Sequence, residues 1–180
     1  KITPEQAAAL KDQPDTPQGR RDRLLLCLLL DHGLRVGEVA ALSRSDFDPV
    51  SGELRFYRPK VNKEQVHHLT RDTLNALNAY IHHGDAPVSG LVLRRSKKNE
   101  GLGASGMSER AITGRVEFLG QKLGIANLSA HDCRHYWATS AARHGTDPFV
   151  LQEAGGWSSL AMPRRYVDDN DVANEGVKLE

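Results

Sequence analysis

Seven consecutive apolar residues, Leu24-Leu25-Leu26-Cys27-Leu28-Leu29-Leu30, are bracketed by Arg23 and Asp31. The run is far short of the roughly 20 residues that cross a bilayer and is charged at both ends, so it reads as a helix buried in a protein core. The segment before it is polar and no small-residue cleavage site follows, so this run is not expected to be a signal peptide. A chain of 180 residues can build one core around such an element without disulfides or metal staples, and a single domain is expected over residues 1–180. Cys27 and Cys133 stand in apolar or helical contexts with no C-x-x-C pair. A reducing, cytoplasmic setting with no membrane partner is expected.

Along the chain, Thr3-Pro4-Glu5-Gln6 has the form of a helix start with a capping box, predicting a short helix to about Lys11. The leucine helix follows over residues 18–32 and ends at Gly33. In GLRVGEVAALSRSDFD the apolar Val36, Val39, Ala40 and Leu42 place Arg35 at a helix entrance ahead of Glu38. The period then changes to two, and residues 53–57 and 65–69 read as an antiparallel hairpin with Lys60 and Lys63 in the turn RPKVNKE. Thr70 starts a helix to about His83 with Leu74, Leu77 and Ile81 inward. Residues 91–93 read as a third short strand, and the charged, glycine-rich stretch 94–106 is expected to be a flexible surface loop. Helices follow over residues 108–123, 130–144 and 148–154, and Ser158 can cap a last one carrying Tyr166. The fold class is mainly α with one small antiparallel β-sheet.

The net charge of +1 hides an asymmetry. After Val167, Asp168, Asp169, Asp171, Glu175 and Glu180 face only Lys178, so residues 167–180 form an acidic tail and the preceding body carries +5. Clusters at Arg20-Arg21-Asp22-Arg23, at Arg94, Arg95, Lys97 and Lys98, and at Arg164-Arg165 are candidate contacts to a phosphate backbone, or ordinary solvated faces.

Residues 129–166 bring together an H-x-x-R pair, a Gly-Gly-Trp turn and a tyrosine preceded by two arginines. For a tyrosine to attack a phosphodiester, the phenol must ionise from a pKa near 10, a cost of about 4 kcal/mol at neutral pH unless a base or a positive field helps. Guanidinium groups suit the charge that gathers on the attacked phosphate, because they are always ionised and grip two oxygens at once. A lysine can protonate the leaving oxygen. Arg35, Lys60, His131, Arg134, Trp157 and Tyr166 supply that set, with His131 and Arg134 on one side of a helix. His131 and His135 at i, i+4 lack a third metal ligand, so no metal and no cofactor are expected. His135 reads as a hydrogen-bonded core histidine, Tyr136 and Trp137 as packing, and His67-His68 and His82-His83 as surface pairs.

The blocks GLRVGEVAAL, RPKVNKE, LSAHDCRHYWAT, GGWSS and RRY resemble, in order and spacing, the catalytic domain of the tyrosine recombinases, the phage-type integrases and Xer-type site-specific recombinases. The resemblance implies that Arg35 and Arg134 clamp the scissile phosphate, that Lys60 protonates the 5′-hydroxyl and that His131 assists Tyr166, which forms a 3′-phosphotyrosyl link. Trp157 stands where many members have histidine, and its indole N–H can donate but cannot shuttle a proton. Glu38 and His135 would support the site. Lys60 is preferred to Lys63 because its distance from Arg35 fits the family better; the turn's composition leaves both open. Pro163, three residues before Tyr166, departs from an ordinary helix and is expected to kink or end it.

The same resemblance implies a partner, double-stranded DNA, and a preceding DNA-binding domain that this chain lacks. It also implies a tetramer on DNA for the longer protein, with the isolated domain a monomer. Two alternatives stand beside it: a catalytically silent DNA-binding or regulatory relative, and a type IB topoisomerase.

Overall fold

Helix α2 (Pro17–His32) is the axis of the molecule. Thr16 caps it by accepting the Gly19 N–H at 3.0 Å, with Pro17 pre-set at the first position, and every residue from Leu24 to Leu30 is buried. A helix apolar on all sides must be enclosed. Here α1 (Pro4–Lys11), α4 (Arg71–His82) and α6 (Ala130–Arg143) pack against it, and α3 (Val36–Ala41) follows directly. The structure, a computed structural model, describes residues 1–167, 173–174 and 176–179. The acidic-tail residues Asp168, Asp169, Asp171, Glu175 and Glu180 lie outside them.

Among the described residues two sheets flank the helices where one was expected. Strands β1 (Phe47–Asp48), β2 (Glu53–Arg58) and β3 (Lys63–His68) form an antiparallel sheet in that order, with Arg58 opposite Lys63. The turn is shorter than RPKVNKE. A 3-10 turn (Pro59–Val61) and Asn62 in the left-handed region close it, so Lys60 is at the tip and Lys63 already in the strand.

The stretch expected to be a flexible loop is a second hairpin, β4 (Arg94–Ser96) with β5 (Leu102–Gly106). Its pattern carries little alternation, since of these residues only Leu102 and Gly103 are buried. Polar ties hold it instead. Arg94 donates to the carbonyls of Gly103, Leu102 and Asp85 at 2.9, 3.0 and 2.8 Å, and Gln18 at the start of α2 donates to Lys97 and Gly101. Arg94 is therefore turned inward as a clip, which corrects its reading as a phosphate contact. Arg20 and Arg21 of the cluster at residues 20–23 are corrected likewise. Arg21 is fully buried on Asp22, which Arg115 also grips at 2.7 Å, and Arg20 pairs with Asp85 and Asp15.

On α4 the inward row is Thr73, Ala76, Leu77 and Tyr80, with Leu74 and Ile81 only half-buried. Polar partners turn the helix. Tyr80 donates its hydroxyl to Val92 O at 2.8 Å, and Thr73 Oγ1 meets His32 Nε2 at 3.1 Å. Helices α5 (Glu109–Lys122) and α7 (Pro148–Gly155) form as expected, capped by Ser108 and Asp147.

His68, His82 and His83 are exposed, but His67 is not the surface residue expected. Its Nε2 faces Ala154 O at 3.1 Å and its Nδ1 faces His32 Nδ1 at 3.3 Å. The partners order the protons: Thr73 or the Thr70 N–H donates to His32 Nε2, His32 Nδ1–H to His67 Nδ1, and His67 Nε2–H to Ala154 O. A further proton would set two donors face to face.

Burial, then the neighbouring ring and Arg58, pushes His32 from 6.5 down to about 3. Burial, then Arg58, pushes His67 down to about 4. The unfolded chain thus binds protons first as pH falls, so the stability from the neutral pair is complete above about pH 6.5 and is lost toward the folded values. The urea midpoint is expected to be flat above pH 7 and to fall between pH 6.5 and 5, each histidine approaching a limiting slope of about 1.4 kcal/mol per pH unit. His67→Leu should halve that slope; an undiminished slope would assign it to other groups.

Candidate active site

Gly33 ends α2 with φ 64°, and the Trp137 ring lies so close that any Cβ there would overlap it. The chain then turns into α3, whose N-cap is Arg35. The buried Glu38 carboxylate holds this residue twice. It accepts the Arg35 backbone N–H at 2.8 Å and Nη1 at 3.1 Å, so one anion caps the helix and aims the guanidinium. Arg35 Nη2 donates to Gly156 O at 3.3 Å.

Helix α6 starts in a reciprocal capping box between Ser129 and Asp132. Its inward face carries Cys133, Arg134 and Ala138. Arg134 donates Nη1 to Gly33 O and Nη2 to Gly155 O, each at 2.6 Å, tying the end of α2 to the end of α7. Its guanidinium lies 4.2 Å from the Trp157 ring centre, and Trp157 in turn stacks on Trp137 at 6.3 Å. Burial, then Arg35 and Arg58, lowers the Arg134 pKa to about 9, with Glu38 and Tyr166 opposing. The group remains a cation at neutral pH, in a place where positive charge is under pressure.

The Gly-Gly-Trp turn is shaped by what surrounds it. Gly156 has φ 66°, and a Cβ there would overlap Arg58 Nη1. Lys60 reaches in from the hairpin tip, which Tyr57 braces by donating its hydroxyl to Asn62 Oδ1 at 2.5 Å. Arg35, Lys60, His131, Arg134 and Trp157 line one cleft of about 440 Å³ with Gly156, Ser158 and Met162. Lys63 lines the neighbouring depression with Phe149 and Gln152. Between the two lysines left open by the turn's composition, Lys60 is the one at the cleft.

Tyr166 is beside this cleft. Its ring is 6.2 Å from that of Trp157, and its hydroxyl meets His135 Nδ1 at 3.2 Å, one helical turn beyond His131. His135 is exposed, which corrects its reading as a core histidine. The last helix, α8 (Ala161–Arg164), is four residues long. Ser158 does not cap it, its N-cap being Leu160, and Tyr166 follows it in a turn, its N–H bonded to Pro163 O at 3.1 Å. The buried Pro163 lies within this helix and is followed at once by its end.

Arg95, Lys97 and Lys98 are exposed around the second hairpin's turn, and Arg164 and Arg165 are exposed just before Tyr166. Among the described residues no group of three or more His, Cys, Asp or Glu side chains could hold a metal ion. The charged group that sequence reasoning passed over is Arg58, buried behind the cleft against Gly156. Extending the alternation of β2 by one residue would have found it, because Leu54, Phe56 and Arg58 form the buried row.

Residues 1–172 match the family described as the phage integrase family. The tyrosine recombinase XerC of Chlamydia muridarum is 33% identical over 173 residues, covering 92% of this chain and 52% of that protein. The tyrosine recombinase XerA of Thermococcus kodakarensis is 29% identical, covering 91% of this chain and 57% of that protein. The chain thus spans about half the length of the curated relatives it matches. Among solved structures, the crystal structure of XerA recombinase superposes with a TM-score of 0.74 at 25% identity, covering 96% of this chain and 61% of that one. The XerH site-specific recombinase bound to its difH substrate gives 0.69 at 21% identity, covering 92% and 49%, a likeness of fold. With the family match running through nearly the whole sequence and the same fold in XerA, this chain belongs to the phage integrase family.

Proposed function

We propose that this chain is the catalytic part of a site-specific DNA recombinase that breaks and rejoins DNA through a 3′-phosphotyrosyl link at Tyr166, without metal or ATP. The observation that carries the reading is the convergence of Arg35, Lys60, His131, Arg134 and Trp157 on one cleft, with both guanidinium groups fixed by carbonyls and a carboxylate before any substrate arrives. Groups aimed in advance at developing charge stabilise a transition state without reorganising during the reaction.

In this mechanism the Tyr166 oxygen attacks phosphorus and its proton passes to His131. The bond from phosphorus to the 5′ oxygen breaks, and Lys60 delivers a proton to that oxygen. Arg35 and Arg134 hold the non-bridging oxygens, and the Trp157 indole N–H donates to one of them. One phosphodiester is exchanged for another, so the step reverses when a different 5′-hydroxyl enters, and no external energy source is consumed. Tyr166 must leave His135 to reach the phosphate. That contact is a single hydrogen bond, worth about 0.5–1.5 kcal/mol, a small barrier to the swing.

The XerH and Tn1549 integrase structures are DNA complexes. With them, the basic body supports double-stranded DNA as the partner, with Arg95, Lys97, Lys98, Arg164 and Arg165 as candidate backbone contacts. The longer protein would close on DNA through a further domain and assemble as a tetramer. This chain alone would be a monomer that binds DNA weakly and loses it as salt rises. The reaction belongs in the cytoplasm, at the nucleoid.

On a nicked suicide duplex carrying the cognate site, the wild type is expected to form a covalent adduct and Tyr166→Phe none; equal adduct from both would end the proposal. Arg134→Lys keeps a charge but loses the two-pronged grip, and should slow single-turnover cleavage about 10²- to 10³-fold. Transfer of strands between two duplexes separates a recombinase from a topoisomerase.

The role of Lys60 has its own chemical test. Lys60→Ala should slow cleavage about 10²- to 10⁴-fold on an ordinary substrate. It should cleave near the wild-type rate when sulfur replaces the 5′ bridging oxygen, because a thiolate leaves without a proton. If sulfur does not restore the variant, Lys60 is not the acid.

A further inference from the structure

Arg58 is fully buried, and among the described residues none accepts a hydrogen bond from its Nε, Nη1 or Nη2. The nearest anion is Glu38, whose Oε2 lies 3.6 Å from Nε, and that same oxygen is already bonded to Arg35. Below, the guanidinium stacks on Phe56 at 4.8 Å from the ring centre; above, it lies against Gly156. The alternation of β2 calls for an apolar side chain here, beside Leu54 and Phe56. Such a residue would fill the space without desolvating a charge, so packing alone gives no reason for an arginine.

The neighbours supply one. Gly156 O receives Arg35, and Gly155 O, one residue earlier, receives Arg134. Arg58 thus lies directly beneath the turn that aims both cleft guanidinium groups, and it shares Glu38 with one of them. Apart from the proton-donating Lys60, Arg35 and Arg134 against Glu38 leave one positive charge in excess and Arg58 makes it two, where a phosphodiester under attack gathers close to two negative charges.

We propose that Arg58 is a positioning residue of the phosphate cleft, a third guanidinium that holds Glu38 and Gly156 in register and adds its charge to the field at the attacked phosphate. The inference rests on the cleft's being a phosphate site. It accounts for a buried cation that Glu38 offsets only in part, since further negative charge arrives in the cleft with the substrate. Burial, opposed by Glu38 and reinforced by Arg35, lowers the Arg58 pKa to about 10, and it stays charged at neutral pH.

The test compares Arg58→Met, similar in length but uncharged, with Arg58→Lys and the wild type. Three measurements are made: the urea midpoint, the affinity for inorganic phosphate by calorimetry, and single-turnover cleavage of the nicked duplex. Arg58→Met should be as stable as the wild type or more so, bind phosphate about tenfold more weakly or worse, and cleave correspondingly slower, with Arg58→Lys recovering part of both losses. Unchanged phosphate affinity and cleavage in Arg58→Met would overturn the proposal, as would a loss of stability with phosphate affinity intact. If Arg58→Met does not fold, Arg58→Gln against Arg58→Lys decides by the same comparison. If the wild type itself forms no adduct, the recombinase reading fails, and phosphate affinity alone judges Arg58.

Discussion

The cleft depends on the two short bonds from Arg134 to Gly33 O and Gly155 O. Those carbonyls end helices that are far apart in sequence, and helix ends leave acceptors that something must satisfy. A single planar cation does it for both. The turn after Gly33 delivers Arg35, and the turn after Gly155 delivers Trp157, so α2, α6 and α7 meet at one guanidinium. Removing it would leave two inward carbonyls unpaired and separate the elements that shape the cleft. Architecture and the proposed chemistry draw on the same side chain.

Glu38 is the counterweight. Three guanidinium groups crowd beneath the cleft: burial, with Arg35 for Arg58 and with Arg35 and Arg58 for Arg134, weakens their hold on a proton, and Glu38 is the carboxylate that opposes this for both. Its bond to the Arg35 N–H makes it a helix cap as well, so the charge that balances the cleft is also built into the start of α3. The histidine chain extends the same logic beneath the hairpin, joining Thr73 on α4 to Ala154 just before the Gly-Gly-Trp turn. It works only while both rings are neutral, and burial enforces that.

Much of this was legible in the sequence, for identifiable reasons. Leu24 to Leu30 announce an enclosed helix because no other place holds seven apolar residues in a row. Thr3, Ser108 and Asp147 mark helix starts because a cap is a local interaction. What escaped was held together at long range by polar groups. The second hairpin rests on Arg94 and Gln18 reaching carbonyls in other segments, and no alternation announces it. Arg58 and His67 look like turn and surface residues by type. They are inside because β3 lays Gln65 and His67 on the carbonyls of Glu153 and Ala154 at the end of α7, and β2 brings Arg58 against Gly156 just beyond it. The site residues were legible as a set through the family's blocks, while the resting place of the Tyr166 hydroxyl on His135 depends on how a four-residue helix and a turn lie, which spacing does not encode.

That last contact sets the two halves of the site apart. Arg35 and Arg134 are each fixed by at least two charge-assisted bonds, and Trp157 is pressed between Arg134 and Trp137. Such bonds are roughly twice as strong as neutral ones, and here several act on each group. Tyr166 follows a helix of four residues and is held by one side-chain hydrogen bond and by the flank of Trp157. A frame that must present fixed charge gains from rigidity. A side chain that must first approach a phosphate and later remain attached to it gains from a light tether. The tether is short because α8 is a single turn, ended at Arg165 immediately before the tyrosine.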